Sequence, residues 1–305
     1  MDKKTSKKIK AVGDAARLAA VLEASAEKPG NVTPTHEFDD SSYPDFLAGA
    51  IAIGSSIEEA ALRGYAAGRK EIYTAEIGVG KLILAGVSDV AESHKGGNTH
   101  LGTLMLMVPI AAATGMCMAQ KTGFKRLREN LGVVLSNSTK EDAKNLYKAI
   151  RKARAGGLGS LVVKDASFIQ LMRISSKKDR IAKELSDGMT MIFEIGLPAF
   201  EENCKKTGDI RKATLETYML LLSRFPDTLI AKKCGAEKSK EVSDKAKAVL
   251  EGTVPLEELD KYLRARRNSL NPGTTADLVS AILLLWVIKN KKFFSPPMPY
   301  NPRKR

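Results

Sequence analysis

Cysteine is scarce in this chain of 305 residues. Cys117, Cys204 and Cys234 stand far apart and form no C-x-x-C pair. A disulfide framework or a structural zinc site is therefore not expected, and a reducing, cytoplasmic setting fits best. Aromatic residues make up only 6% and there are three histidines. No G-x-S-x-G, no G-x-x-x-x-G-K-[ST] and no G-x-G-x-x-G after a strand is present, which argues against a serine hydrolase, a Walker-type nucleotidase and a Rossmann oxidoreductase. No apolar signal core follows the first ten residues. Long apolar runs are lacking too. Ala281–Ile288 is short, and Leu104–Ala119 carries Pro109, Thr114 and Gly115. Both fall short of the roughly 20 apolar residues of a membrane span and read as buried core helices, with no membrane partner.

Charge of one sign is in excess. The formal net charge is +14, but residues 1–10 hold +4 of it and residues 289–305 hold +6. The body between these two basic tails is only mildly basic. That suits a phosphate-rich ligand better than a nucleic acid, for which interleaved aromatics are also missing.

The remaining pattern is helical. Apolar residues recur at spacings of three and four: Ile9, Val12, Ala16, Ala19, Leu22; then Phe46, Ala50, Ile53, Ile57. The pattern continues with Ile181, Leu185, Met189, Ile192, Phe193, Leu197 on one long segment, then Leu215, Met219, Leu222, Phe225, and finally Leu278, Ile282, Leu285, Ile288. Ser138 to Glu141 has capping-box spacing. The glycine run 156–159 reads as an inter-helix loop, and four prolines after residue 295 mark a non-helical end. The expected fold is all-α, a single multi-helix bundle of about ten or more helices over residues 1–305.

Polar chemistry in such a protein concentrates at helix ends, where backbone N–H groups are free. Four turns combine Gly, Asn, Thr, Asp or Lys beside an apolar helix. The turn at 23–32 contains Glu23, Lys28, Gly30 and Asn31; Lys28 suits a phosphate, or simply the end of a helix. The turn at 36–41 contains His36, Asp39 and Asp40; the paired carboxylates suit Mg²⁺, or a helix cap. The turn at 96–102 contains Asn98, Thr99, His100 and Gly102 at the start of a strongly apolar helix. The turn at 270–278 contains Gly273, Thr274, Thr275 and Asp277, with capping-box spacing from Thr274 to Asp277. A fifth segment holds Asp227, Lys232 and Lys233.

In order, SAEKPGNV, HEFDD, GVGKLILAGVSDVAESHKGGNTHLGTLMLMVPI, FPDTLIAKKCG and LNPGTTADLV resemble the triphosphoribosyl-dephospho-CoA synthase family, from about Ala16 to Ile288. The resemblance implies a transferase that joins ATP and dephospho-CoA. A ribose hydroxyl of the acceptor attacks the anomeric carbon of ATP and adenine leaves. It also implies Mg²⁺ with ATP. Lys28, Gly30, Asn98, Thr99, Thr274 and Thr275 are then expected around the phosphates, with Asn31, His36, Gly102, Lys232 and Gly273 completing the substrate-binding set. Asp39, Asp40, Asp227 and Asp277 are the candidate metal-binding or oxocarbenium-stabilising carboxylates. Glu23 and His100, with Asp277, are the candidate catalytic groups. The form KPGNV, FxD, NPGTTADL resembles family members outside citrate and malonate operons. Two acceptors therefore stay open: dephospho-CoA, or another cofactor precursor such as one of the methanopterin type. A non-catalytic nucleotide- or nucleic-acid-binding helical protein is the reading from another class. The assembly is compatible with a homodimer.

Overall fold

A computed structural model describes residues 2–97, 99–153 and 165–290. Asn98, the glycine run 156–159 and the proline-bearing end lie outside the described residues. All regular structure among the described residues is helical, apart from two isolated bridges in the loop 33–41. The helices are α1 (Lys3–Ala24), α2 (Tyr43–Ala52), α3 (Gly54–Gly68), α4 (Val79–Ser93), α5 (Leu101–Gln120), α6 (Leu127–Ser136), α7 (Lys140–Lys152) and α8 (Phe168–Ser175). They continue with α9 (Arg180–Ser186), α10 (Leu197–Thr207), α11 (Ile210–Arg224), α12 (Thr228–Cys234), α13 (Ala236–Leu250), α14 (Leu256–Arg264) and α15 (Gly273–Lys289). The all-α expectation holds.

Several local expectations change. The first basic stretch is no tail. Asp2 caps α1 by accepting from the Thr5 N–H at 2.7 Å, so Lys3 to Lys10 form its opening turns, with the lysines outward and Ile9 buried. Of the second basic stretch only Lys289 is described as a cation, and it pairs with Glu201 at 2.7 Å. The apolar stripe from Ile181 to Leu197 is not one helix. Gly188 and Met189 adopt left-handed backbone, ending α9, and a π-helical turn at Ile192–Gly196 leads into α10. Glu184 holds that turn by accepting from the Ile192 N–H at 3.1 Å. The capping box of α7 is Thr139 with Asp142, one residue later than Ser138–Glu141. The shift has a reason: Asp142 Oδ1 also accepts from the Gly80 N–H at 2.9 Å and so ties α7 to α4. The cap of α2 is Ser42 with Asp45, not Asp39 or Asp40. The capping box expected from Thr274 to Asp277 does not form; α15 starts without a cap from its own residues.

α5 forms the centre. It is longer than its apolar stretch suggests and reaches the length and composition of a membrane span, but its side chains are buried from Leu101 through Cys117 among other helices. Its partner α3 lies unusually near because both present glycine. A β-carbon on Gly64 would fall 1.9 Å from the Ala112 carbonyl oxygen, and one on Gly115 would fall 1.9 Å from that of Ala61. α15 packs on α1, α5 and α11, bringing the C-terminal motif beside the first helix and the start of α5.

Gly64→Ala is expected to destabilise the protein by about 1–3 kcal/mol, because the backbones must part. Gly132→Ala, in open space on α6, is expected to stabilise it by about 0.4–1 kcal/mol. Urea unfolding of the two variants reads both signs; a neutral Gly64→Ala would mean that α3 and α5 are not in close backbone contact.

Candidate active site

The carboxylate of Asp227 organises one end of the bundle. It caps α12, Oδ1 accepting from the N–H groups of Leu229 (2.8 Å) and Ile230 (3.2 Å). Its Oδ2 accepts from the Thr275 N–H (2.7 Å) and hydroxyl (2.8 Å), supplying the cap that α15 lacks. Burial raises its pKa and these four bonds act in the opposite direction. Both oxygens are occupied in this way, so the structure places Asp227 as a joint between helices.

One turn into α15, Asp277 accepts from the Thr103 hydroxyl on α5 at 2.7 Å. Gly102 makes room for it, since a β-carbon there would lie 2.1 Å from Asp277 Oδ2. Asp277 is partly accessible at the residue level. Desolvation pushes its pKa up to about 8; Glu23 and Asp227 add to this, and the Thr103 hydrogen bond opposes it. Glu23 is buried on α1 and raised by desolvation, with Lys28 opposing. Lys28 is itself 1% exposed; it pairs with Glu23 at 3.0 Å and donates to the Ala26 carbonyl at 3.2 Å. Its charge is therefore committed to the end of α1 rather than to the surface. Asn31 donates to the buried Tyr218 hydroxyl at 2.7 Å, and the Gly30 N–H donates to Asp260 at 2.8 Å, with φ of +73° that favours glycine.

Above this polar network lies a cavity of about 1030 Å³ between the loop 37–42, α2, α4 and the start of α5. Asp39, Asp40, Asp45, His94 and His100 line it. Distant motifs meet there. The Gly97 N–H donates to the Asp40 carbonyl at 3.0 Å, and Asn268 Nδ2 reaches the Asp40 carboxylate at 3.2 Å. Lys233 donates to the Asn268 carbonyl at 2.9 Å, within the field of Asp40 and Asp227. Lys232 instead pairs with Asp179. Thr99 bonds both His94 (3.1 Å) and His100 (2.7 Å). Burial pushes His100 down to about 3, so its ring is neutral. A second cavity, about 690 Å³, takes His36, Lys28, Asp260 and Arg264 into its wall. Phe38, on the wall of the first cavity, has its ring 5.7 Å from the guanidinium of Arg264, on the wall of the second.

The expected residues thus fall into groups. Asp39, Asp40, Thr99 and His100 gather at the large cavity. Glu23, Lys28, Asp227, Thr275 and Asp277, with Gly102, form the network beneath. Thr274 bonds Thr228 at 3.2 Å, and Gly273 packs on Leu229. His36 and Lys28 border the second cavity, and Gly30 and Asn31 are tied to Asp260 and Tyr218, one on its wall and the other buried. Asn98 lies outside the described residues. Sequence reasoning passed over Asp45, His94, Asn268 and Arg264. Only His94 left a trace, as the first of two histidines flanking the Gly96-Gly97 turn.

The pKa of Asp277 has a consequence for stability. Its folded value of about 8 exceeds the ordinary 3.8, so the folded state holds an extra proton between these limits. Stability falls as pH rises through that window, by at most about 1.4 kcal/mol per unit. Asp277→Asn should match wild type near pH 4 and become progressively more stable than it towards pH 8. Urea unfolding across that range checks the trend, and a constant gap would remove the raised pKa.

The comparisons follow the same motifs. A curated relative, the probable 2-(5''-triphosphoribosyl)-3'-dephosphocoenzyme-A synthase of Acinetobacter calcoaceticus, is 24% identical over 290 residues, 90% of this chain and 90% of its own. The 2-(5''-triphosphoribosyl)-3'-dephosphocoenzyme-A synthase of Pectobacterium atrosepticum is 30% identical over 106 residues, 34% of this chain and 35% of its own. A crystal structure from Archaeoglobus fulgidus, named by assignment as a triphosphoribosyl-dephospho-CoA synthase, shares the fold with a TM-score of 0.57 at 24% identity, covering 77% of this chain and 98% of that one. The CitG family, ATP:dephospho-CoA triphosphoribosyl transferase, matches residues 9–293, and the chain belongs to that family.

Proposed function

We propose that the protein transfers the triphosphoribosyl group of ATP to a ribose hydroxyl of dephospho-CoA, with release of adenine. The observation that supports this reading is that two of the motifs, HEFDD and the segment SDVAESHKGGNTHLGTL, line one large cavity in a chain of this family. ATP occupies the large cavity, and the acceptor approaches from the second one across Phe38 and Arg264.

Mg²⁺ would accompany the triphosphate. Among the described residues no group of three or more His, Cys, Asp or Glu could hold a metal ion by itself. An ion carried on phosphate needs only one or two carboxylates. Asp39 and Asp40 fit this: Asp39 has an 87% exposed side chain, 4.0 Å from Arg267 Nε, and among the described residues the Asp40 carboxylate accepts from the neutral groups of Ser41 and Asn268. Held there, the ion would neutralise phosphate charge. The N-terminal end of α5, whose His100 and Leu101 line the cavity, would add its backbone dipole. Lys95 and Lys152 bring cations to the wall of the cavity, which makes them better candidate phosphate ligands than Lys28 or Lys232.

Glycosyl transfer with adenine as leaving group needs an acid for the purine and a base for the attacking hydroxyl. Asp277 retains its proton at neutral pH and serves as the acid. His100, neutral and on the wall of the cavity, serves as the base. Burial keeps Asp277 protonated, with Glu23 and Asp227 adding to it.

Incubation with ATP, Mg²⁺ and dephospho-CoA, followed by chromatographic separation of adenine, ADP and AMP, tests the reaction. Adenine is expected only when the acceptor is present, and Asp277→Asn should reduce its formation at least about 100-fold while leaving the protein folded. ADP or AMP in place of adenine would indicate phosphoryl chemistry. Saturable ATP binding without adenine would indicate another acceptor.

A further inference from the structure

A chain of side chains runs behind His100. Asp45 on α2 directs Oδ2 to the Ser42 N–H (2.9 Å) and hydroxyl (2.7 Å), leaving Oδ1 3.8 Å from His94 Nδ1. These bonds, with a smaller contribution from His94, hold Asp45 below the usual carboxylate range, so it is ionised. The His94 side chain is only 4% exposed, and its Nδ1 is buried without a hydrogen-bond partner among the described residues. The other nitrogen, Nε2, lies 3.1 Å from the Thr99 hydroxyl, and that hydroxyl lies 2.7 Å from His100 Nδ1. Gly49 leaves space for the last pair: a β-carbon there would lie 2.6 Å from His100 Nδ1 and 2.9 Å from Thr99 Oγ1.

The charge on Asp45 selects one of the two arrangements that the Thr99 bonds permit. At 3.8 Å no hydrogen bond joins Asp45 and His94, but the ionised Asp45 carboxylate favours the His94 tautomer whose hydrogen sits on the nearer nitrogen, Nδ1. His94 Nε2 is then a lone pair and must accept from Thr99. The threonine hydroxyl has one hydrogen, so towards His100 it accepts, and His100 carries its hydrogen on Nδ1. Nε2 of His100 is left as the lone-pair nitrogen of a ring that lines the cavity.

We propose that Asp45, His94 and Thr99 are positioning residues that fix His100 in the tautomer able to take a proton, and that they carry this proton onward to His94. The inference rests on the transfer reading above and adds the groups that make His100 a workable base. Alone, a buried imidazole is a poor proton acceptor, because it cannot hold charge away from water. The chain removes that obstacle. As the acceptor hydroxyl oxygen bonds to the anomeric carbon, its proton moves to His100 Nε2. The Nδ1 hydrogen of His100 moves to Thr99, and the Thr99 hydrogen moves to His94 Nε2. The positive charge comes to rest on the ring that faces Asp45. The glycosidic electron pair leaves with adenine, which takes its proton from Asp277. Between turnovers water returns the proton from His94 to Asp277, so protons balance over the cycle.

Two measurements test this on the full chain. With three histidines in the sequence, nitrogen-15 NMR of the free wild-type protein resolves each ring. Both His94 and His100 are expected to carry the ring hydrogen on Nδ1. A His100 ring protonated on Nε2 overturns the proposal whatever the activity. In the adenine assay, Thr99→Val should lower kcat about 100-fold with KM for ATP changed less than about threefold. Thr99→Ser, which keeps the hydroxyl, should recover most of kcat. An unchanged kcat in Thr99→Val, or a change confined to KM, overturns the relay and leaves Thr99 as a substrate contact. If wild type forms no adenine with dephospho-CoA, the transfer reading fails instead, and the ring-proton assignment decides the chain by itself.

Discussion

The whole site end of the molecule depends on where the Asp227 carboxylate points. A helix beginning leaves donors without intrahelical partners, and burying them unpaired is unfavourable by about 1–3 kcal/mol each. Asp227 satisfies the start of α12 with one oxygen and the start of α15 with the other. Its carbonyl accepts from Ser239 at 2.8 Å and holds α13 as well. With α15 pinned in this rotation, the residue one turn later faces α5. Asp277 therefore meets Thr103, and Gly102 removes the side chain that would block it.

Around this joint the protein buries more acid than base. Glu23, Asp227 and Asp277 interact electrostatically, and Lys28 is the cation built in beside Glu23. A core assembled for stability alone would replace such a group with apolar residues. The arrangement keeps one carboxyl protonated beside the start of α5. The same low dielectric has the opposite effect on His100, which it keeps neutral. Burial thus acts in opposite directions on the pKa of a carboxyl and an imidazole, leaving both neutral.

Much of the fold was legible in the sequence. Helix stripes at Ile9 to Leu22 and Leu278 to Ile288 became α1 and α15 because apolar periodicity reports burial directly. Failures came where a tertiary partner overruled a local signal. Ser138 and Glu141 lost the capping box to Thr139 and Asp142 because Asp142 also binds Gly80. Thr274 and Asp277 never capped α15 because Asp227, far back in the chain, already did. The stripe through Met189 hid a break, since left-handed backbone at Gly188 and Met189 leaves the apolar spacing intact.

The candidate site divides along the same line. Residue type and motif order alone marked out Glu23, Asp39, Asp40, His100 and Asp277, because polar groups clustered at helix ends in an apolar chain are locally conspicuous. They could not say which of those groups is turned inward. Lys28, with every mark of a phosphate ligand, is tied to Glu23, and Lys232 is tied to Asp179. Nor could they connect Asp45 to His94 or Thr99 to His100. Composition and periodicity determined that the chain would be a helical bundle with polar turns. Only packing decided which turns face one cavity, because burial, charge field and hydrogen-bond partner are properties of neighbours in space, most of them distant along the chain.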